Sequence, residues 1–394
     1  MNSEQVSGLY IHIPFCLSKC PYCDFYSSTF LSALPQFLDA LSKEMAMYGN
    51  RFNPFDTVYF GGGTPSLLRP EQLESVLVRV REHFDLMPNT EITVETNPAD
   101  LNRSYLESMR EIGINRINIG VQSFDQEVLG FLGRRHSAKQ AISAIKASRK
   151  AGFHNVGLDL IYAVPDQNIE SWLDTLKQAV VFSPEHLSCY QLTLEAKTPL
   201  GKRYEAGEFS IPGEELQYEF FMKTSQFLED VGYIHYEVSN FAKGTRLASR
   251  HNQKYWDHSP YLGLGPAAHS FHHNRRWWNH RSVDQYITSI NAGTLPVAET
   301  EILTTEQLRL EALYLGLRTK KGISFEDLKN RYQYDLLADK KKMLNKLEEE
   351  GFISIRDGHL CPTPTGLAVA DSLSHRPTRS TTSRCATSNA RKGT

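Results

Sequence analysis

The stretch Leu9-Tyr10-Ile11-His12-Ile13-Pro14-Phe15-Cys16-Leu17-Ser18-Lys19-Cys20-Pro21-Tyr22-Cys23 joins a short β-rich run to three cysteines spaced C-x3-C-x2-C. The same alternation of a short apolar run and a longer amphipathic stretch recurs at Thr57–Phe60, Ile92–Glu95, Ile117–Val121, Val156–Ile161 and His186–Tyr190. Between the runs lie helical patterns such as Leu73, Val76, Leu77, Val80 and Phe84, an apolar stripe opened by Pro70. Six β-then-α units predict an α/β fold of parallel strands with right-handed crossovers. Six fall short of the usual eight, so the expected architecture is a partial (β/α)6 TIM-like barrel.

The cysteine spacing carries chemistry of its own. A [4Fe–4S] cube takes four thiolates, one per iron; three leave one iron open, as radical chemistry on S-adenosylmethionine requires. Zinc would want four closed ligands, and the local fourth candidate is His12. A disulfide scaffold fits poorly, because six cysteines in 394 residues are dilute.

Polar residues fall where such a barrel keeps its functional groups, at the C-terminal ends of the strands. Phe60 is followed by Gly61-Gly62-Gly63-Thr64-Pro65, Glu95 ends the third run, Gln122 follows the fourth and Asp159 interrupts the fifth. Singly, each reads as a turn or a helix cap; together on one rim they read as a site.

Composition sets the outer bounds. With 40% hydrophobic and 22% charged residues and a net charge of −2, the chain is that of a soluble protein with a sizeable core, and no overall field draws it to nucleic acid. The start lacks a basic-then-apolar leader, and no apolar run nears the ~18 residues of a membrane span. A cytoplasmic location is expected.

Four segments follow: a core over 1–200, an aromatic-rich connecting segment over 201–300 that completes one side of the barrel, a C-terminal module over 301–373, and a tail over 374–394. Three helical patterns and a hairpin signal at Asp357-Gly358 make the third segment winged-helix-like. Between Thr305 and Glu350, ten basic residues face nine acidic ones, so a lid or protein contact fits better than nucleic acid. The tail is basic, rich in Ser and Thr and nearly devoid of apolar residues, and is expected to be disordered. Homodimerisation and peripheral membrane contact are both compatible with it.

The cysteine loop, Gly61–Pro65, Gly120-Val121-Gln122-Ser123-Phe124, Asp159-Leu160-Ile161-Tyr162 and the C-terminal module together resemble the radical S-adenosylmethionine proteins of the HemN/HemW group. The similarity runs from Leu9 to about Leu373. It implies that Cys16, Cys20 and Cys23 each bind one iron and that the amino and carboxylate groups of S-adenosylmethionine chelate the fourth. Reductive cleavage of that cofactor would give methionine and a 5′-deoxyadenosyl radical. By the same resemblance Gly62, Gly63 and Thr64 lie along the methionine part. Glu95 suits its ammonium, Arg134 its carboxylate, and Gln122 and Asp159 the ribose hydroxyls. Tyr10 and Tyr22 flank the cluster, where Tyr22 either packs on adenine or shields the cluster from water.

Two branches of the group differ in activity. Coproporphyrinogen III dehydrogenases carry a further Cys two residues after the third ligand, where this chain has Phe25, and an N-terminal arm, where only nine residues precede Tyr10. The run His251-Asn252-Gln253-Lys254-Tyr255-Trp256 fits the H-N-x-x-Y-W motif of the heme-chaperone branch. The resemblance therefore implies binding of heme, its delivery to acceptor proteins and a need for an electron donor. It makes His251 a candidate axial ligand, with His258, His269, His272, His273 and His280 as rivals and Tyr255 and Trp256 as porphyrin-packing rings.

Overall fold

All six expected strands form in the computed structural model, which describes residues 6–49, 51–52 and 54–370. They are β1 (Ser7–Ile13), β2 (Phe55–Gly62), β3 (Leu86–Thr96), β4 (Arg116–Gln122), β5 (Val156–Tyr162) and β6 (His186–Gln191). Side chains alternate between the two faces of a strand. Leu9, Ile11, Ile13, Val58, Phe60, Ile117, Ile119 and Val121 are fully buried on the face that packs against helices. Tyr10, Tyr59, Glu95, Asn118 and Asp159 occupy the other, and their mutual contacts make it the polar inside of the partial barrel.

The covering helices are α1 (Leu34–Tyr48), α2 (Pro70–His83), α3 (Arg103–Glu111), α4 (Gln126–Phe131), α5 (Ala138–Lys150) and α6 (Ile169–Val181). Asn102, Ser137 and Asn168 cap α3, α5 and α6, each accepting a hydrogen bond from a first-turn backbone N–H. The chain continues through α7 (Pro199–Glu205), α8 (Glu214–Asp230), β7 (Ile234–Glu237) and β8 (Asn240–Ala242). Next come α9 (Arg250–Trp256), β9 (Tyr261–Leu264), β10 (His269–His272), β11 (Arg275–Asn279), α10 (Val283–Asn291) and β12 (Val297–Ile302).

The segment 201–300 extends the sheet at both edges, not at one. The strand order is β12-β11-β10-β9-β1-β2-β3-β4-β5-β6-β8-β7. The physical reason lies in α9, which carries the chain from the β6 edge to the β1 edge beneath the N-terminal ends of β1, β2 and β3. There Lys254 Nζ bonds Val6 O at 2.8 Å, Arg250 Nη2 pairs with Asp56 at 2.9 Å and the His251 N–H donates to Glu91. β9 can then pair with β1 in parallel. Buried Glu44 of α1 ties down the new edge by accepting from Tyr286 Oη at 2.6 Å, Asn279 Nδ2 at 2.7 Å and Gly265 N at 2.8 Å. The described residues up to Thr305 thus form one compact unit.

The second unit begins at Glu306. It holds most of α11 (Thr305–Gly316), then β13 (Ile323–Ser324), α12 (Phe325–Tyr332), α13 (Leu336–Glu349), β14 (Ile353–Arg356), β15 (His359–Pro362) and α14 (Pro364–Ala368). The sheet order β13-β15-β14 and the core of Leu313, Leu328, Leu344, Ile353 and Leu360 give the winged-helix-like module. Asp357 and Gly358 both take positive φ, 49° and 73°, as a tight hairpin turn demands. The tail expected over 374–394 lies outside the described residues. Among the described residues no helix is long and apolar enough to cross a membrane.

Candidate cofactor site at the strand ends

The cysteine loop leaves the C-terminal end of β1 and is bound to the glycine turn after β2. Gly63 N donates to Ile13 O and Thr64 N to Phe15 O, each at 2.8 Å. A Cβ on Gly63 would lie 2.6 Å from Phe15 O and 2.8 Å from Ile13 O and Phe15 N. Gly62 sits at φ 104°, and a Cβ there would meet the His12 ring at 2.5 Å. Gly63 thus permits the backbone contact between the two loops, and Gly62 makes room for the His12 ring.

Cys16, Cys20 and Cys23 are free and half-buried. Thr64 Oγ1 donates to Cys16 Sγ and Arg134 Nη1 to Cys20 Sγ, both at 3.4 Å. Burial pushes the Cys23 thiol up. Among the described residues no three His, Cys, Asp or Glu converge as ligands of a single metal ion. Three cysteines that each hold a separate iron need no such convergence. His12, the fourth ligand a zinc reading needs, is committed elsewhere. Its Nδ1 faces Tyr10 Oη at 3.2 Å and its Nε2 faces Tyr26 O at 3.0 Å, and burial lowers its pKa to about 4.

The remaining rim residues meet around this loop. Glu95 accepts from Tyr59 Oη at 2.8 Å and from Gly62 N at 3.3 Å; burial chiefly, with Asp159 nearby, raises its pKa to about 7. Arg134 donates to Gly120 O at 3.0 Å and has Tyr22 Oη at 3.4 Å from Nη1. A Cβ on Gly120 would crowd both Gln122 Nε2 and Arg134 Nη2, so the glycine makes room for them. Gln122 takes φ 64°, which turns the chain at the rim. Asp159 accepts from Asn118 Nδ2 at 2.6 Å, and burial raises its pKa. The Tyr22 ring packs beside Leu132, Ile161, Val164, Leu192 and Leu200, an arrangement that suits shielding of the loop from water.

Residues 10–179 match the radical SAM superfamily and residues 303–369 the HemN C-terminal domain. The chain is 34% identical over 356 residues to the heme chaperone HemW of Synechocystis sp., covering 88% of this chain and 85% of that protein. The chain belongs to the HemW family. The Bacillus subtilis heme chaperone HemW is 34% identical over 355 residues, with 88% and 93% covered; that of Escherichia coli is 38% identical over 268 residues, with 66% and 69% covered. The solved coproporphyrinogen III oxidase HemN of Escherichia coli superposes with a TM-score of 0.80 at 22% identity, covering 94% of this chain and 90% of that one. At that identity the likeness establishes the fold alone. Radical SAM chemistry rests on a [4Fe–4S] cluster and S-adenosylmethionine, and the three thiols, the glycine turn and the Glu95/Arg134 pair fit that requirement.

His251 lies elsewhere in this HemW-family chain. It stands on α9 at the N-terminal end of the barrel, opposite the cysteine loop, and is 1% exposed. Thr57 Oγ1 meets its Nδ1 and Tyr255 Oη its Nε2, both at 2.8 Å. Its ring stacks on Tyr59 at 5.0 Å and on Tyr10 at 6.2 Å. Both ring nitrogens are engaged within the protein, so His251 closes the barrel floor and packs on Tyr59, which in turn donates to Glu95. Tyr255 belongs to the same plug. We expect His251→Ala to lower unfolding stability by about 2–4 kcal/mol, through the cavity and two stranded hydroxyls. Denaturant titration measures the loss, while the absorption spectrum of added hemin stays that of the parent.

Sequence reading missed Tyr59, Arg116 and Asn118. Arg116 is 1% exposed inside the barrel, with its charge felt at Glu95, Asp159 and His251. The available signal was the period-two run of polar positions on β4, Arg116, Asn118 and Gln122.

Proposed function

We propose that this protein is a heme chaperone that binds heme and passes it to acceptor proteins, with a radical SAM centre at its rim. The observation that carries the reading is the near full-length likeness to proteins named heme chaperone HemW, joined to a cysteine loop in which Phe25, 64% exposed, stands where porphyrinogen dehydrogenases have a cysteine.

In this reading Cys16, Cys20 and Cys23 hold three irons of a [4Fe–4S] cluster. Glu95 accepts from the cofactor's amino group and Arg134 faces its carboxylate. Gly62, Gly63 and Thr64 line the methionine part, Gln122 and Asp159 the ribose, and Tyr10 and Tyr22 close the sides. Bound there, cluster and cofactor supply one-electron chemistry, fed by a separate electron donor. Free thiols in the loop suit a reducing cytoplasm.

Glu95 gives this arrangement a pH signature. Its folded pKa, about 7, is above its ordinary value of 4.5. The stability of its neutral form is therefore complete below about 4.5 and is lost as pH rises through about 7. Above that point a buried carboxylate, which already accepts from Tyr59 and Gly62, gains from a further hydrogen-bond donor. S-adenosylmethionine affinity should rise about tenfold from pH 6 to pH 8, read as a thermal shift, and the rise should shrink in Glu95→Gln.

The heme reading is tested by anaerobic hemin titration of the full chain, followed by mixing with an apo-heme protein. Retention of heme and then its transfer are expected; free hemin eluting apart from the protein would contradict the reading.

A further inference from the structure

Resting on the heme-binding reading above, the heme seat itself can be sought among the histidines. Five of them make ring hydrogen bonds inside the fold. His12 and His251 have both ring nitrogens engaged. His235 faces Ser225 Oγ and Val238 O. His136 bonds Val121 O and His186 bonds Tyr236 Oη, and each of these two rings is at most 1% exposed. His269 is exposed, as are His154 and His273; no ring hydrogen bond is found for it among the described residues, and of the three it is the one stacked on an indole.

The surroundings of His269 match the parts of a heme. On β10 and β11, His269 is paired with Trp278 and Phe271 with Arg276. Period-two alternation therefore sets all four on one face. The His269 ring stacks on Trp278 at 5.5 Å with 24° between planes. Trp278 is half-buried, an anchored indole of the kind that packs on a flat macrocycle. Arg276 and Arg281 lie close enough for their charge to act on His269. Arg276 has Glu301 at 3.8 Å. Arg281 is exposed, with no carboxylate partner among the described residues, and lies 6.0 Å over the Tyr26 ring. Two guanidinium groups beside an imidazole answer two propionates beside an iron.

The patch also adjoins the cysteine loop. His12, at the end of β1, feels the charges of both Arg281 and His269 and bonds Tyr26 O. Tyr26 follows exposed Phe25, three residues beyond Cys23. By contrast, His251 is at the far end of the barrel.

We infer that heme binds on the face of β10 and β11 beside the cysteine loop, with His269 as axial ligand, Trp278 against the porphyrin, and Arg276 and Arg281 on the propionates. The outermost of these groups, His269 and Arg281, are exposed, so this seat can release its heme as well as hold it.

The test titrates hemin into the anaerobic full chain and into His269→Ala, Arg281→Glu and His251→Ala. His269→Ala should weaken hemin binding at least about tenfold and shift the Soret band, with cluster absorbance and the S-adenosylmethionine thermal shift retained. Arg281→Glu should weaken hemin binding but leave the dimethyl ester, which lacks free propionates, unaffected. A His269→Ala spectrum and affinity equal to the parent's would overturn the seat while leaving heme binding intact. A parent chain that binds no hemin would overturn both readings.

Discussion

Cys20→Ala is expected to abolish the visible absorbance of the iron–sulfur cluster after anaerobic reconstitution, while far-ultraviolet circular dichroism stays unchanged. The loop makes this separation possible. Cys20 is only half-buried, and its Sγ has one protein donor, Arg134 Nη1 at 3.4 Å. Losing that contact costs the fold about 1 kcal/mol or less. Losing the thiolate leaves a cube with two protein ligands where it needs three. The stabilisation that S-adenosylmethionine gives should vanish with the cluster, because its chelating groups then have no open iron to bind. An unchanged spectrum would remove the basis of the cluster assignment.

Gly63→Ala is expected to do similar damage with all three cysteines present. The added Cβ would lie within 2.8 Å of three backbone atoms of Ile13 and Phe15, and backbone cannot rotate aside as a flexible side chain can. The strain, about 1–3 kcal/mol, falls on the two 2.8 Å hydrogen bonds that join the glycine turn to the cysteine loop. Cys16 follows Phe15 directly, so its sulfur moves with the displaced loop. Iron content per chain after reconstitution should fall well below the parent's, with a lowered melting temperature. Full iron loading in a Gly63→Ala chain would show that the loop contact is not what positions Cys16.

The parts of the molecule legible in the sequence are those governed by local rules. The six parallel strands announce themselves by period-two runs such as Leu9, Ile11 and Ile13, and the Asp357-Gly358 turn by its dipeptide. The rim residues Gly62, Glu95, Gln122, Arg134 and Asp159 lie around the loop because strand ends in such a barrel share one side. What escaped was non-local. Nothing in residues 201–300 states that β7 and β8 pair at one edge while β9 to β12 pair at the other; that depends on α9 crossing beneath the sheet. For the same reason the place of the His251-to-Trp256 run on α9, with its histidine between Thr57 and Tyr255, could not be read from the sequence. Arg116 and Asn118 were hidden because a charged residue in a central strand gains its meaning only from partners on other strands.

The most direct measurement gives one anaerobically reconstituted sample S-adenosylmethionine, a reductant and either hemin or coproporphyrinogen III. A heme chaperone should retain hemin in roughly equimolar amount and yield no protoporphyrinogen. Decarboxylation of coproporphyrinogen III by a chain that fails to hold hemin would contradict the account and make the protein a porphyrinogen dehydrogenase.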